Sequence, residues 1–216
     1  MRHFFIMLGL LCGLVAQSVY ATETTNTKKQ DITILALGDS LTAGYGLPQK
    51  ESFTVQLQEW LQAEMGCAQN IKVINGGVSG DTSSGGAARL AWTLGNSKPD
   101  LVILEFGGND GLRAIDPSYT RQNMDSMVKF LKDKGLSVLV AGMQAPPNLG
   151  PDYAESFNSI FSDIAAKYDV ALYPFFLEGV AMNPALNQAD AIHPNKEGVA
   201  IIVSKIGPVI RDLIIQ

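Results

Sequence analysis

The sequence predicts an α/β protein: a three-layer α/β/α sandwich on a central parallel sheet of about five strands. Three observations support this prediction. Short, continuously apolar runs alternate with segments whose apolar residues recur at helical spacing. Runs that are apolar on both faces are typical of parallel strands covered by helices on each side. The 216 residues also fit one domain, and no internal repeat, low-complexity run or long linker interrupts them.

Five apolar runs are the predicted strands. Each is four to six residues long and rich in Ile, Val or Leu, which is the length and composition of a buried strand. In chain order the runs are residues 32–37, 71–74, 101–106, 137–141 and 170–173.

Five amphipathic segments are the predicted helices, and they alternate with the strands. In the first segment Phe53, Leu57, Trp60 and Leu61 recur every three or four residues, which places them on one helix face. The helical segments are residues 52–65, 87–94, 119–132, 153–168 and 197–214.

Residues 1–21 have the three-part pattern of a secretory signal peptide. Arg2 gives a positive start, residues 4–15 form an apolar run, and Ala21 precedes a small-residue cleavage site. The run is shorter than the roughly 20 residues that cross a bilayer, so an uncleaved membrane anchor is the weaker alternative. A lipid anchor at Cys12 is weaker still, because bulky Leu11 precedes it.

The remaining chain divides into a flexible polar leader, residues 22–30, and one domain, residues 31–216. We therefore expect an exported protein, periplasmic or secreted, with no stable membrane span after cleavage. We also expect a monomer.

The composition excludes several classes of protein. With 46% hydrophobic and 17% charged residues, the chain is not disordered. Its 16 basic and 21 acidic side chains give a net charge of −5, so no nucleic-acid partner is expected. Cleavage would leave one cysteine, Cys67, which cannot form an internal disulfide, and one histidine, His193. A zinc site would then lack nitrogen and sulfur ligands, so neither a metal nor another cofactor is expected.

In a doubly wound sheet, ligands bind beyond the carboxyl ends of the strands. The first strand ends directly in Gly38-Asp39-Ser40-Leu41, which places a serine at that edge. A serine hydroxyl needs a base to become a good nucleophile, and His193 is the only imidazole in the mature chain. Asp190, three residues earlier, is within reach to orient the His193 ring. The plainer alternatives are that Ser40 is only a turn residue or helix cap, and that residues 190–193 are an ordinary loop.

Two glycine-rich loops offer donors for an oxyanion. Gly80 lies in the loop after the second strand, where a backbone N–H can approach a ligand closely. Asn109 follows the third strand in Gly107-Gly108-Asn109-Asp110 and carries an NH₂ donor. One such donor typically contributes about 3–4 kcal/mol to a transition state. Simple turn chemistry is the alternative for both loops, because Gly and Asn are common in turns.

These blocks, together with Ser79-Gly80-Asp81-Thr82 and Asp190-Ala191-Ile192-His193-Pro194, resemble the SGNH (GDSL) hydrolases over roughly residues 32–214. The longer strings are similar to the secreted bacterial thioesterase I, lysophospholipase and arylesterase type. The resemblance implies a flavodoxin-like sandwich, with Ser40 as nucleophile, His193 as base and Asp190 as the orienting acid. It implies an oxyanion hole of Gly80, Asn109 and the Ser40 N–H, and makes Asp39 a structural neighbour. Asp81 and Asp110 are rejected as the acid because they lie on other loops.

The expected activity is hydrolysis of small-molecule acyl esters, and also of thioesters or lysophospholipids, through an acyl-enzyme. The expected acyl pocket is lined by Met143, Ala145, Pro146 and Leu149, and apolar Phe175 and Phe176 also favour acyl chains. Two alternatives stay open: a carbohydrate O-acetylesterase on the same scaffold, and a non-catalytic binding module.

Overall fold

The computed structural model describes residue 1, residues 30–66 and residues 69–215. Apart from Met1 and Gln30, the predicted signal peptide and leader lie outside the described residues, as does Cys67. Both are therefore still predictions.

In the part of the chain that the structure describes, five parallel strands form one sheet, which confirms the predicted fold class. Their spatial order is β2-β1-β3-β4-β5. The chain moves from β1 to one side and then crosses back to extend the sheet on the other, so the switch point lies between β1 and β3. Ligands bind at this place in doubly wound sheets. The strands are β1 (Gln30–Gly38), β2 (Gln69–Gly77), β3 (Leu101–Glu105), β4 (Ser137–Ala141) and β5 (Ala171–Tyr173).

Helices cover both faces of this sheet. Helix α2 packs against α7, and α5 packs against both α3 and α6. Since crossovers between parallel strands are right-handed as a rule, this strand order puts the first pair on one face and the other three helices on the opposite face. No helix within the described ranges is long and apolar enough to cross a membrane. The helices are α1 (Ser40–Ala43), α2 (Phe53–Met65), α3 (Ser83–Leu94), α4 (Gly108–Leu112), α5 (Pro117–Asp133), α6 (Pro151–Tyr168) and α7 (Lys196–Ile214).

The central strands form the core of the sandwich. All five residues of β3 are buried, and Ile34 and Leu37 of β1 are fully buried beside them. Each large apolar side chain buried in this way contributes about 1.5–3 kcal/mol. The result is a rigid base under the loops at the carboxyl edge of the sheet.

Strand β2 is longer than its apolar run predicts. It pairs with β1 over nine residues, from Gln69 opposite Gln30 to Gly77 opposite Gly38. Polar side chains such as Lys72 occur in β2 because it is the edge strand and exposes part of its surface. An apolar run alone therefore underestimates the length of an edge strand.

Helix α3 begins at Ser83, four residues before the predicted start. The Thr82 side chain caps it by accepting a hydrogen bond from the Gly85 N–H. The pair Gly85-Gly86 weakens the helical signal in this first turn. Gly86 is required by packing, because a Cβ there would lie 2.3 Å from the Phe106 ring.

Candidate active site

Ser40 lies at the carboxyl edge of the sheet, at the switch point. Strand β1 ends at Gly38, and Ser40 is the first residue of the short helix α1. Its side chain is largely buried, with 8% exposure of the residue. Gly38 is needed because a Cβ there would lie 2.5 Å from Glu105 Oε2 and 2.7 Å from the Glu105 carbonyl oxygen. The tight contact of β1 with β3 thus fixes the backbone that carries Ser40.

Asp39 connects the turn after β1 to the turn after β3. Its Oδ1 accepts a hydrogen bond from the Leu41 N–H at 3.0 Å, and its Oδ2 accepts one from Asn109 Nδ2 at 3.0 Å. Burial raises the pKa of Asp39 from its ordinary value of 3.8 to about 6, although both hydrogen bonds oppose that rise. Asp39 therefore orients Asn109 and caps α1, as expected of a structural neighbour of Ser40.

Glu105 lies directly beneath this turn as the last residue of β3, and it is fully buried. Its Oε2 accepts hydrogen bonds from Thr42 Oγ1 at 2.8 Å and from the Asp39 N–H at 3.3 Å. Its Oε1 has no partner among the described residues. Burial, and then the negative charge of Asp39, raise the pKa of Glu105 well above its ordinary value. The sequence signal for Glu105 is a lone acid in an otherwise apolar strand, and we did not predict a role for it.

Asp190, His193 and Ser40 form one continuous hydrogen-bonded chain. His193 Nε2 lies 2.8 Å from Ser40 Oγ, and His193 Nδ1 lies 2.7 Å from Asp190 Oδ2. Asp190 Oδ1 accepts the N–H groups of Ile192 and His193, each at 3.0 Å. These bonds, with the His193 N–H first, lower the pKa of Asp190 from 3.8 to about 2. The i,i+3 spacing does bring the predicted pair together.

Two residues that were not predicted pack around His193. The Tyr45 ring lies 4.6 Å from the imidazole, centroid to centroid, at an angle of 39°. Gln188 Nε2 donates to the carbonyl oxygens of Tyr45 at 2.8 Å and Pro194 at 3.0 Å, and its backbone N–H donates to the His193 carbonyl. Gln188 thus links the loop of His193 to the segment after α1. Sequence spacing gives no signal for this contact, since 143 residues separate Gln188 from Tyr45.

The three predicted oxyanion donors come from three different loops. Asn109 uses one amide hydrogen on Asp39 and has a second one for a ligand. Gly80 has φ +85°, and its carbonyl accepts a hydrogen bond from Arg113 Nη2 at 2.8 Å. Its N–H donates to no other described residue. As the first residue of α1, Ser40 has no acceptor within that helix for its N–H.

A mainly apolar cavity of about 720 Å³ opens beside Ser40 and His193. Of the predicted pocket residues, Met143, Ala145 and Pro146 line it, whereas Leu149 lies in the adjacent 3-10 turn and is not a lining residue. Phe175 lines the cavity, but Phe176 is in the core, where its ring is edge-on to Phe53. The apolar lining also includes side chains that the sequence did not identify: Leu112, Leu177, Ala181, Met182 and Ile192.

Among the described residues, no group of three or more His, Cys, Asp or Glu side chains is arranged to bind a metal ion. The polar groups at the cavity include the Ser40 hydroxyl, the His193 imidazole bonded to Asp190, and the Asn109 side-chain amide. This arrangement suits acyl transfer.

Comparison with known proteins identifies the family. The model of the GDSL-like lipase/acylhydrolase family matches residues 36–201. The chain belongs to this family. It is therefore an enzyme, a carboxylic ester hydrolase that acts on small-molecule esters, which confirms the resemblance found in the sequence.

Individual members of the family are similar over most of the chain. Esterase TesA of Pseudomonas aeruginosa is 41% identical over 182 residues, which are 84% of this chain and 89% of that protein. Thioesterase 1/protease 1/lysophospholipase L1 of Escherichia coli K12 is 35% identical, over 84% of this chain and 85% of that protein. The structure of the psychrotrophic esterase EstA from Pseudoalteromonas, inhibited by monoethylphosphonate, has a TM-score of 0.78 and 34% identity. That comparison covers 85% of this chain and 99% of EstA.

Proposed function

We propose that the enzyme hydrolyses acyl esters through a covalent acyl-enzyme on Ser40, with His193 as general base and Asp190 as the orienting acid. The observation that supports this most directly is the hydrogen-bonded chain from Asp190 through His193 to Ser40 Oγ, at 2.7 and 2.8 Å. The 2.8 Å distance is within the range that proton transfer from Ser40 to a neutral imidazole requires, and the 2.7 Å hydrogen bond lets Asp190 orient the ring.

In the first step, Ser40 Oγ attacks the carbonyl carbon of the ester while His193 Nε2 takes the hydroxyl proton. The tetrahedral intermediate collapses as His193 returns that proton to the leaving alcohol or thiol. Water, deprotonated by His193, then attacks the acyl carbon. The bond from that carbon to Ser40 Oγ breaks, His193 returns the proton to Oγ, and the acid is released. Asp190 stays ionised throughout, since its pKa of about 2 keeps it negative next to the imidazolium.

The negative oxygen of the intermediate is bound by the N–H groups of Ser40 and Gly80 and the side-chain amide of Asn109. The Asp39 carboxylate occupies one amide hydrogen of Asn109, which fixes the orientation of the other. Such pre-oriented donors require no reorganisation as charge develops, and removing one typically costs about 10²–10³-fold in kcat.

The acyl chain of the substrate occupies the apolar cavity. Its lining favours alkyl chains over the polar ring of a sugar, so an O-acetylesterase acting on carbohydrate is disfavoured. The relatives named esterase and thioesterase 1/lysophospholipase L1 are consistent with oxygen esters, thioesters and lysophospholipids as substrates. Export to the periplasm or medium through the signal peptide of residues 1–21 is part of the same proposal.

Hydrolysis of p-nitrophenyl esters from acetyl to palmitoyl tests both the chemistry and the pocket. Each methylene buried in the cavity contributes about 0.8 kcal/mol, or roughly fourfold in kcat/KM, until the cavity is full. We therefore expect kcat/KM to rise from the acetyl ester to the octanoyl ester. An optimum at acetyl would contradict the acyl-chain pocket and favour the O-acetylesterase.

The same assay tests the nucleophile. Ser40→Ala should lose activity by about 10⁴-fold or more. Ser204→Ala, at an exposed serine of α7, is the matched control and should keep full activity. If Ser40→Ala and the wild type hydrolyse the esters equally, the assignment of Ser40 is wrong. If neither does, the binding-module alternative becomes the better one.

A further inference from the structure

Arg89 of α3 lies behind the site, and the mechanism above does not use it. Its side chain is only 17% exposed, and its guanidinium makes hydrogen bonds in three directions. Nε donates to Asp81 Oδ2 at 2.6 Å, Nη1 donates to the Gly76 carbonyl at 2.7 Å, and Nη2 donates to the Gly38 carbonyl at 2.8 Å. These three acceptors lie at the carboxyl edge of the sheet, and Nη1 also donates within α3, to Thr93 Oγ1 at 3.3 Å.

Each of the three acceptors at the sheet edge adjoins a segment that carries a proposed oxyanion donor. Gly38 is the last residue of β1, two residues before Ser40. Gly76 lies at the end of β2, and Asp81 follows Gly80 directly. The Arg89 side chain thus donates hydrogen bonds both to the turn that carries Ser40 and to the loop that carries Gly80.

The guanidinium also contacts the third segment. It lies over the Phe106 ring, 5.9 Å from its centroid, and Phe106 is three residues before Asn109. A cation in this position is attracted by the negative face of the aromatic ring. Arg89 therefore contacts all three segments from which the donors come.

The chemistry of these contacts requires arginine. A guanidinium presents five N–H donors in a rigid planar fork, whereas an ammonium is a point charge on a flexible stem. The Gly38 carbonyl also accepts the Val78 N–H at 3.0 Å, so the fork completes a link between β1 and the loop that leads to Gly80. A lysine at this position would retain the charge but not the fixed spacing of three acceptors.

We propose that Arg89 is a positioning residue that presets the oxyanion hole by fixing the distance between the nucleophile turn and the Gly80 loop. This inference rests on the proposed function of Ser40, Gly80 and Asn109. If the N–H donors of the oxyanion hole are displaced by part of an ångström, their hydrogen bonds to the transition state weaken more than those to the bound ester. Loss of Arg89 should therefore lower kcat and leave KM nearly unchanged.

The test compares Arg89→Lys and Arg89→Ala with Arg121→Lys and Arg121→Ala. Arg121 is a matched control because it also makes two side-chain bonds, to Asp163 at 2.8 Å and Ser159 at 2.9 Å, but links α5 to α6. Active sites are counted by labelling with a p-nitrophenyl alkylphosphonate, so that misfolded protein does not enter kcat. We expect kcat per labelled site to fall about tenfold in Arg89→Lys and about 100-fold in Arg89→Ala, with KM within threefold.

Guanidinium chloride at tens of millimolar should restore part of the kcat of Arg89→Ala and should not raise the kcat of Arg121→Ala. A purely structural role of Arg89 would not predict this recovery. If kcat per labelled site in both Arg89 variants stays within twofold of the wild type, the inference is overturned. If neither variant folds, Asp81→Ala decides, with a tenfold lower kcat supporting it and an unchanged kcat overturning it. An active Ser40→Ala would instead overturn the proposed function, whatever the Arg89 variants do.

Discussion

Two carboxylates flank Ser40, and they lie in opposite environments. Asp190 belongs to the acid–base loop, residues 187–195, where two backbone N–H groups point at it and lower its pKa to about 2. Asp39 belongs to the nucleophile turn, residues 38–43, where burial raises its pKa to about 6. The exposed loop thus stabilises a charge, whereas the buried turn disfavours one and uses its carboxylate for hydrogen bonds.

Sequence adjacency to Ser40 therefore does not identify the acid of the proposed triad. Asp39 is next to Ser40 in the chain, but its two oxygens bond to Leu41 and Asn109. Asp190 is 150 residues away from Ser40, yet it bonds to the imidazole. The role of each carboxylate depends on the hydrogen-bond partners of its two oxygens and on how far the carboxylate is exposed to solvent.

The two regions also respond to pH in opposite senses. The pKa of Asp190 is depressed in the folded state, so its contribution to stability is present above pH 3.8 and is lost as the pH falls towards 2. The pKa of Asp39 is raised in the folded state, so its contribution is present below pH 3.8 and is lost as the pH rises through about 6.

The largest effect should come from removing the charge of the acid–base loop. In Asp190→Asn the amide oxygen still accepts the N–H groups of Ile192 and His193, so the loop should keep its shape. The imidazolium loses its counter-ion, and kcat should fall by about 10³–10⁴-fold. Steady-state hydrolysis of the octanoyl ester, with the urea midpoint measured alongside, tests this.

The matched control for that change is Asp133→Asn, since Asp133 pairs with Lys129 on the exposed face of α5 and lies outside the site. It should leave kcat unchanged. If Asp190→Asn keeps the full kcat, the acid–base loop does not need its charge. The proposed difference between the roles of Asp190 and Asp39 would then be wrong.

Removing the charge of the nucleophile turn should have a smaller effect. In Asp39→Asn the side-chain oxygen can still accept the Leu41 N–H, but the new amide then opposes the Asn109 amide, donor against donor. Asn109 loses its fixed orientation, and we expect kcat to fall by about 10–100-fold with KM nearly unchanged. A loss as large as that of Asp190→Asn would contradict the assignment of Asp39 as a structural neighbour.

The smallest effect on rate should come from Glu105→Gln. Gln has the same shape as Glu and no charge, and burial disfavours a charge at this position, so kcat should stay within about threefold. Stability is the informative readout. Glu105 destabilises the fold as the pH rises above 4.5, because only the unfolded chain then releases its proton freely.

Urea unfolding of both proteins at pH 4.5 and pH 8 measures this difference. The gain of Glu105→Gln over the wild type should grow by at most about 1.4 kcal/mol for each pH unit. If Glu105→Gln gains the same free energy of unfolding at both pH values, Glu105 has an ordinary pKa. Burial beneath the nucleophile turn would then not disfavour its charge.

Much of the fold could be predicted from the sequence because buried parallel strands are continuous apolar runs. All five strands and the five long helices were located in this way. The short helices α1 and α4 were not, because one turn is too short to show a 3.6-residue period. These two short helices contain Ser40 and Asn109, respectively.

The site was predictable as far as its chemistry depends on rare residues in local order. Only one histidine follows the predicted signal peptide, and Asp190 lies three residues from it. Arg89, Gln188 and Glu105 were missed, because each makes a contact that is distant in the chain. These contacts span 51 residues for Arg89, 143 for Gln188 and 66 for Glu105. Which apolar residues line the cavity also depends on tertiary packing.

The most direct test of the central claim is mass spectrometry of the protein after reaction with a p-nitrophenyl alkylphosphonate. We expect one phosphonyl group per chain, on the peptide that contains Ser40. We also expect no label in Ser40→Ala and much slower labelling in His193→Ala. A stoichiometric label on a different residue, or full ester hydrolysis by unlabelled protein after prolonged treatment, would contradict it.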